Sequence, residues 1–444
     1  MKKILVNFML FYLRIAAWFQ LKKFNPYILG VGGASGKTSL SNFIYIIFKN
    51  SFITKQGKGK NSETGIPLDV LDISIKSYST LEWLKILFLV PLRLFFNWKR
   101  VEVYIAEMGI DSPLPPKNMS YLLKIVKPSV GVLTNISYEH SQYFDPLVDE
   151  RDEKEREKDI LELTKEQEGL LLTSLSKNDI AILNIDDENI VDLENSILAN
   201  KITVSAQKHN SDFYIEKIQN FVNRFETTFK FQEKKYKVVI KNPLPAHFAY
   251  SFVLAIAASS TKIPDIQQSI NALERNFMLP AGRMSVFQGI KDTIIFDSSY
   301  NNATLSPILD LLDFVKEIGG QRRRTGIIGD MRELGTMSKA LHEEVARKIL
   351  KTLDQVILIG PLTQKFMEPI LKKDNFPVYS FVNFTDAKTV ILEEVKPKDL
   401  ILIKGSQNTL FLERAVELLL KDKQDIQYLC RRGAFWDNIR SKTL

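Results

Sequence analysis

The sequence predicts an α/β protein with a mostly parallel sheet, and two observations carry that reading. From Tyr27 onward short β-rich runs alternate with helical patterns, the mark of a parallel sheet covered on both faces. A Pro/Gly break at 280–283 (PAGR) is then followed by a fresh strand–helix series, so a second unit of the same class begins just after it. The bulk composition agrees. The 444 residues allow for about three units of roughly 150 residues. With 45% hydrophobic and 25% charged residues the chain is an ordinary globular one, neither a polytopic membrane protein nor a disordered tail.

Residues 1–27 open with Lys2 and Lys3 and an apolar run through Leu21, broken by Asn7, Arg14 and Gln20. A spanning helix needs about 20 predominantly apolar residues. A glycine loop also starts within a few residues, so no secretory signal is read here. A second segment, 81–100 (LEWLKILFLVPLRLFFNWKR), interleaves Trp, Phe and Leu with Lys85, Arg93, Lys99 and Arg100. Two arrangements suit such helices: packing on each other or on the domain, and peripheral membrane contact through 4–21 and 81–100.

Strands are expected at 27–31, 101–107, 130–134, 180–184, 293–297, 325–328, 355–359 and 400–403. Residues 149–159 (DERDEKEREKD) carry almost only mixed charge and read as a solvated helix or loop insertion. Between 201 and 241 polar alternation predicts a small antiparallel set of hairpins, an excursion from the main sheet. Sixty Lys and Arg against 52 Asp and Glu leave a net charge of +8, which suits anionic ligands or a membrane surface and gives no indication of nucleic acid. The single cysteine, Cys430, has no disulfide partner and no base near it in sequence, which fits a reducing, cytoplasmic setting and argues against a catalytic thiol.

The most specific local signal follows the first strand: Gly32, Gly33, Ala34, Ser35, Gly36, Lys37, Thr38 and Ser39, then a helical stretch. Strand, glycine loop, GK[ST] and helix stand in the order a P-loop requires. Glycines let backbone N–H groups close around phosphate oxygens, and the helix N-terminus adds positive partial charge. Lys37 can reach terminal phosphates and Thr38 can ligate Mg²⁺. Val31 occupies the first glycine's position of the strict motif; the glycine stands one residue earlier, at Gly30.

That spacing, GVGGASGKTS, resembles the GxTGTxGKTT loop of the Mur ligases, ATP-dependent enzymes that build the peptide of bacterial cell wall. Further segments match in order. Residues 61–67 (NSETGIP) resemble the NNEIGVP element of the D-alanyl-D-alanine-adding branch; Glu107, Met108 and Gly109 resemble its E-x-G; KPSVGVLTNISYEH, ending at His140, resembles KPxxxxxTNIxxxH. PAGR is similar to its PGR linker, DSSYNNATLS to DDSYNANPxS, GDMRELGTMSKALH to GDMxELGxxSxxxH, and Lys404, Gly405 and Ser406 to KGSR. The chain departs from the family in three places. Only about 28 residues precede the loop, where the family begins with a domain for the UDP-sugar. Where the family has H-N-x-x-N the chain has His247, Phe248, Ala249, Tyr250 and Ser251, so both asparagines are missing, and Gln407 replaces the arginine of KGSR.

The resemblance implies an apolar N-terminal helix at 1–27, a central ATP-binding domain at 28–283 with insertions at 81–100 and 149–159, and a Rossmann-like C-terminal ligase domain at 284–444. It implies ATP and Mg²⁺ as cofactors, with a carboxylate-bearing small molecule or peptide and an amine donor as substrates. A carboxylate takes the γ-phosphoryl of ATP, and an amine then attacks the acyl phosphate. By the same resemblance, residues 33–39, Asn61, Arg283, Asp297, Tyr300 and Asn301 bind nucleotide. Thr38 and Glu107 serve one Mg²⁺, while His140 and Glu168 serve a second. Glu168 falls where the family carries a carbamylated lysine, by counting back from Asn184, with Lys165 as its rival. Lys37, Arg283, Asp297 and Lys404 act on the phosphates or the acyl group, and Asp330, Glu333 and His342 face the incoming amine. Two other readings compete with a ligase: a P-loop NTPase coupled to a conformational event, and an ATP-binding scaffold at the membrane surface without ligase turnover.

Overall fold

The computed structural model describes residues 2–57, 60–75, 79–138, 141–148, 153–221, 223–300, 305–405 and 410–441. Two compact units partition the chain: Met1–Lys217 with Thr227–Val238 and Ala249–Phe277, and Ile218–Glu226 with Val239–Phe248 and Met278–Leu444.

The first unit starts with helix α1 (Lys2–Phe24), which leads into β1 (Tyr27–Gly32) and α2 (Lys37–Phe48). After β2 (Thr54–Gln56) come α3 (Gly65–Val70), α4 (Thr80–Phe96), β3 (Val103–Glu107), α5 (Met119–Leu122) and β4 (Val130–Leu133). Helix α6 (Glu153–Thr173), β5 (Ile180–Asn184), α7 (Glu188–Asp192), β6 (Asn200–Ser205), β7 (Phe213–Phe221), β8 (Arg224–Phe231), β9 (Lys234–Ile240) and α8 (His247–Ser260) follow. The nine strands form one sheet in the order β2-β3-β1-β4-β5-β6-β7-β8-β9. Strands β1, β3 and β4 are buried along their length, as parallel strands covered on both faces must be.

β1 pairs in parallel with β3 on one side (Val31↔Glu107) and β4 on the other (Gly32↔Leu133). The chain leaves β1 toward one edge and returns to the other side through β4. That change of direction opens a crevice at the C-terminal strand ends, where such sheets bind ligands.

The expected excursion at 201–241 is instead part of this sheet. β6 pairs in parallel with β5 (Ile182↔Ile202), and β7 with β6 (Val204↔Phe213). Val204, Phe213, Ile215, Phe225, Phe229, Val238 and Ile240 are all buried. Their alternation gives the added strands a buried apolar face. The charged insertion resolves into the first turns of α6 from Glu153 on; residues 149–152 lie outside the described ones.

The two apolar-basic segments pack on each other. Met9, Leu13 and Ala16 of α1, Leu68 and Leu71 at α3, and Ile86 and Val90 of α4 share one core cluster. Among the described residues no helix is long and apolar enough to cross a membrane.

The second unit carries β10 (Ser285–Gln288), β11 (Ile294–Ser298), β12 (Arg324–Gly329), β13 (Gln355–Ile359), β14 (Val378–Phe381) and β15 (Leu400–Lys404), ordered β10-β11-β15-β12-β13-β14. All pairings are parallel except β10 with β11. The alternating helices cover this sheet, giving the Rossmann-like arrangement expected. Arg323 and Arg324 are structural here: Arg323 binds the buried carboxylate of Asp399, and Arg324 binds Asp354.

Candidate active site

The loop after β1 is held open by glycine geometry. Gly33 has φ 113° and Gly36, the cap of α2, has φ 81°, both in the left-handed region that disfavours a side chain. A Cβ on Gly33 would stand 2.3 Å from Thr134 Oγ1. The loop is braced by the strand-end residues beside it. Ala34 N–H donates to Asn135 O (2.9 Å), Ser35 N–H to Asn135 Oδ1 (3.0 Å), and Thr134 Oγ1–H to Ser35 O (2.6 Å). Lys37 Nζ donates to Gly33 O (2.5 Å) and Ala34 O (2.9 Å), so its charge lies over the loop. Ser39 is buried in the first turn of α2.

Across the loop, Thr38 Oγ1–H donates to Glu107 Oε1 at 2.8 Å. Glu107 closes β3 and is buried, and its second oxygen, Oε2, has no hydrogen-bond partner among the described residues. A buried carboxylate oxygen without a partner is costly unless something else satisfies it. A hydroxyl and a carboxylate side by side at a phosphate loop form a hard-oxygen pair suited to Mg²⁺, which usually takes one or two protein oxygens and completes its shell with phosphate and water. Among the described residues no group of three or more His, Cys, Asp or Glu is placed to hold a metal. Asn61 lies against the same strand end: Gly109 N–H donates to Asn61 O (3.0 Å), and a Cβ on Gly109 would meet Asn61 Nδ2 at 2.8 Å.

Glu168 reaches the loop from α6. Its Oε2 accepts from Gly33 N–H at 3.0 Å, and the residue is buried. Lys165 points elsewhere, bonded to Glu162 (2.8 Å) and Asp192 (3.0 Å). Burial works against the lysine's charge, but those two carboxylates outweigh it and hold its pKa above the ordinary value. Carbamylation needs the neutral amine, so this setting disfavours it. His140 and Asn301 lie outside the described residues, as does Gln407.

The residues that replace the family's asparagines, Phe248 and Ser251, are both buried, and Ser251 Oγ stands 3.9 Å from where a Gly36 Cβ would be. Between them in sequence, Tyr250 O–H donates to Asp186 Oδ2 at 2.7 Å. Tyr250 is thereby tied to the β5 end rather than aimed at the loop.

In the second unit Arg283, Asp297, Tyr300 and Lys404 gather at the ends of β11 and β15. The strands run side by side with Ser298 opposite Lys404. Gly282, at φ 73°, lets Tyr300 approach closely: its N–H donates to Gly282 O (3.1 Å), and a Cβ there would lie 2.7 Å from Tyr300 Cβ. The guanidinium of Arg283 stands 5.8 Å from the Tyr300 ring centroid. Burial pushes Asp297 up to about 6, and its Oδ2 has no partner among the described residues although Oδ1 accepts from Ser299 N–H. Burial, reinforced by the charge of Arg283, pushes Lys404 down to about 7. Burial likewise lifts the Cys430 thiol to about 12, which leaves it inert.

Two expected substrate-facing residues are occupied with the backbone. Asp330 Oδ1 accepts from Leu362 and Thr363 N–H (3.0 and 2.8 Å), capping the helix Pro361–Phe366, and His342 Nε2 accepts from Met331 N–H (3.1 Å). Burial pushes the imidazole's pKa below its ordinary value. Sequence reasoning missed a fully buried ion pair, Arg431 with Glu413 at 2.5 Å, whose guanidinium also stacks 5.3 Å from the Tyr300 ring.

A glycine loop at the head of a parallel strand, a lysine over it, and a Thr–Glu pair at the neighbouring strand end together define a P-loop nucleotide-binding protein. Comparison with known proteins sharpens this. The Mur ligase middle domain matches residues 31–259, and the Mur ligase glutamate ligase domain matches 282–407. The chain belongs to the Mur ligase family. Its relatives include the UDP-N-acetylmuramoyl-tripeptide–D-alanyl-D-alanine ligases of Rickettsia prowazekii (26% identical, covering 91% of this chain and 81% of the relative) and Bacillus subtilis (24%, covering 90% and 77%). Among solved structures, MurF of Acinetobacter baumannii superposes with a TM-score of 0.72 at 15% identity, covering 90% of this chain and 78% of that one. MurF of Thermotoga maritima, in complex with ADP, superposes at 0.70 and 21% identity, covering 94% and 84%.

Proposed function

We propose that this protein is an ATP-dependent, ADP-forming carboxylate–amine ligase that acts in cell-wall peptide synthesis. The reading extends the reaction in its relatives' names, the joining of D-alanyl-D-alanine to a UDP-muramoyl tripeptide, to this chain. The observation that carries it is the Thr38–Glu107 pair at the lip of a nucleotide loop, with a buried carboxylate oxygen that has no partner among the described residues. A scaffold would hold Mg·ATP through the same pair, so turnover is what separates the two readings.

In this reading, the N–H groups of residues 33–36 and Lys37 hold the triphosphate. Thr38 and Glu107 hold Mg²⁺, which supplies positive charge to the phosphoryl oxygens. The acceptor carboxylate takes the γ-phosphoryl group, and ADP leaves. The amine then attacks the acyl carbon, phosphate departs, and the amine gives up a proton. Lys404, its pKa pushed down to about 7 by burial, can accept that proton when neutral or, when charged, steady the acyl phosphate; by the family resemblance Arg283 neutralises phosphate and Tyr300 borders the nucleotide. Glu168 stands in for the family's carbamylated lysine as a fixed negative charge behind Gly33. The proposed domain division falls at Arg283.

The test is ADP release measured against a panel of UDP-muramoyl peptides, free peptides and dipeptide amines. A ligase requires an acceptor and an amine together. Hydrolysis without either would replace this reading with an uncoupled NTPase, and no ADP release with any pair would leave a scaffold.

A further inference from the structure

Helices α1 and α4 each carry two apolar stripes, and only one of each is buried. Met9, Leu13 and Ala16, with Ile86 and Val90, face the shared core. About a third of a helical turn round from its buried stripe α1 exposes Leu5, Phe8, Phe11, Ile15 and Phe19, and about half a turn round from its own α4 exposes Leu81, Leu84, Phe88, Leu92 and Phe95. The exposure is large: 76% for Phe88, 72% for Phe95, and 72% for Trp98 just beyond α4.

The stripes run side by side. Tyr12 O–H donates to Leu87 O (3.2 Å), and Lys23 Nζ donates to Leu94 O (2.9 Å) and Asn97 O (3.1 Å), so the two helices lie parallel in near-constant register. Because both bury their inner stripes in one cluster, both outer stripes point away from the domain. They form a band whose α4 edge, from Leu81 to Phe95, is about 21 Å long at 1.5 Å per residue. A helix that is apolar all round is normally buried all round, and a solvent-facing band of this size marks an interaction surface.

Charge decides the occupant. Residues 2–24 and 79–100 contain nine Lys and Arg and one acidic residue, Glu82. Lys22, Lys85, Arg93, Lys99 and Arg100 are exposed, and Lys23 stacks 3.5 Å from the Trp98 ring centroid. A two-fold contact between copies must be self-complementary, and this border would set like charges against each other. An anionic bilayer meets both requirements: acyl chains for the Phe/Leu band, headgroup charge for the basic rim, and an interfacial level for Trp18 and Trp98.

We propose that the outer face of α1 and α4 seats the protein on an anionic membrane as a monotopic surface, independently of the reaction it catalyses.

The experiment is flotation of the full chain with vesicles of phosphatidylcholine alone or of phosphatidylcholine and phosphatidylglycerol in equal parts. Tryptophan quenching by brominated lipid is recorded on the same samples. The expected result is binding to anionic vesicles, partial release by salt as headgroup attraction is screened, and quenching that falls in a Trp98→Phe variant. Phe88→Glu with Phe95→Glu, both on the exposed face, should lower the bound fraction about tenfold or more with an unchanged melting temperature. Absence of wild-type binding to anionic vesicles overturns the proposal whatever the variants do. So does concentration-dependent dimerisation abolished by the same two substitutions, which would assign the face to a second copy.

Discussion

Thr38 Oγ1 and Glu107 Oε1 lie 2.8 Å apart, although 69 residues separate them in the chain, and the second Glu107 oxygen is buried without a partner among the described residues. The parallel pairing of β1 with β3 produces this contact, since it sets Val31 opposite Glu107 and so brings the strand end beside the first turn of α2.

Glu107→Gln keeps the size and the hydrogen bond from Thr38 but removes the anionic oxygen. It should raise the Mg²⁺ concentration needed for half-maximal ATP turnover about 10- to 100-fold, the range that ligand-shell changes cost, with little change in melting temperature. Titration of turnover against Mg²⁺ measures it; an unaltered Mg²⁺ curve would remove Glu107 from the metal site.

Lys37→Ala should lower ATP turnover about a hundredfold or more, as loss of a charge that stabilises transferring phosphate does. Lys37 is a partly exposed residue whose bonds include two to loop carbonyls, so the cost in stability should stay small, about 0.5–1 kcal/mol. Turnover and chemical denaturation on the same preparation separate the two effects.

Glu168→Gln retains an acceptor for Gly33 N–H while removing charge. Turnover should fall strongly with the melting temperature nearly unchanged, whereas Lys165→Ala, which loses a surface ion pair, should be nearly silent. Activity should also be indifferent to bicarbonate, because a genetically fixed carboxylate does not depend on CO₂. Bicarbonate activation together with an inactive Lys165→Ala variant would hand the position to the lysine.

Asp297 gives a pH signature. Its folded pKa, about 6, exceeds the unfolded value near 3.9. The folded chain therefore binds the extra proton between those values, and stability is lost as pH rises through about 6. Asp297→Asn removes that cost. The variant should melt above wild type at neutral pH, and the gap should close as the pH falls toward about 4. Parallel melting curves across that range would mean that the carboxyl titrates normally.

Arg431→Met should destabilise the chain by about 3–5 kcal/mol, because it strands Glu413 as a buried charge. Adding Glu413→Leu should recover much of the loss, and a double-mutant cycle by chemical denaturation measures the coupling.

What was legible in the sequence was what is local. Gly33, Gly36, Lys37 and Thr38 sit in one short run between a strand and a helix, so their meaning survives without a structure. Glu168 was found only by counting along a resemblance, since nothing in the charged stretch around it marks it apart from Glu162 or Glu166. The Arg431–Glu413 pair joins the first turn of the helix Glu413–Leu419 to a loop residue, with no periodicity to connect them. Phe248 and Ser251 were noted for the asparagines they replace, but the bond of neighbouring Tyr250 to Asp186 depends on β5 and α8 meeting. The hairpins at 201–241 were read correctly as strands and wrongly as a separate set, because alternation shows which face is apolar and not which sheet it joins.

The bracing of the phosphate loop also bears on the order in which the protein comes into being. The loop itself is made within the first 40 residues, yet the groups that fix its backbone, Asn135 and Glu168, come about 100 and 135 residues later. A nascent chain carrying only β1 and α2 has the glycines but not the supports, so its loop has no fixed shape to offer a nucleotide. The loop therefore takes its braced shape only once α6 has emerged and docked.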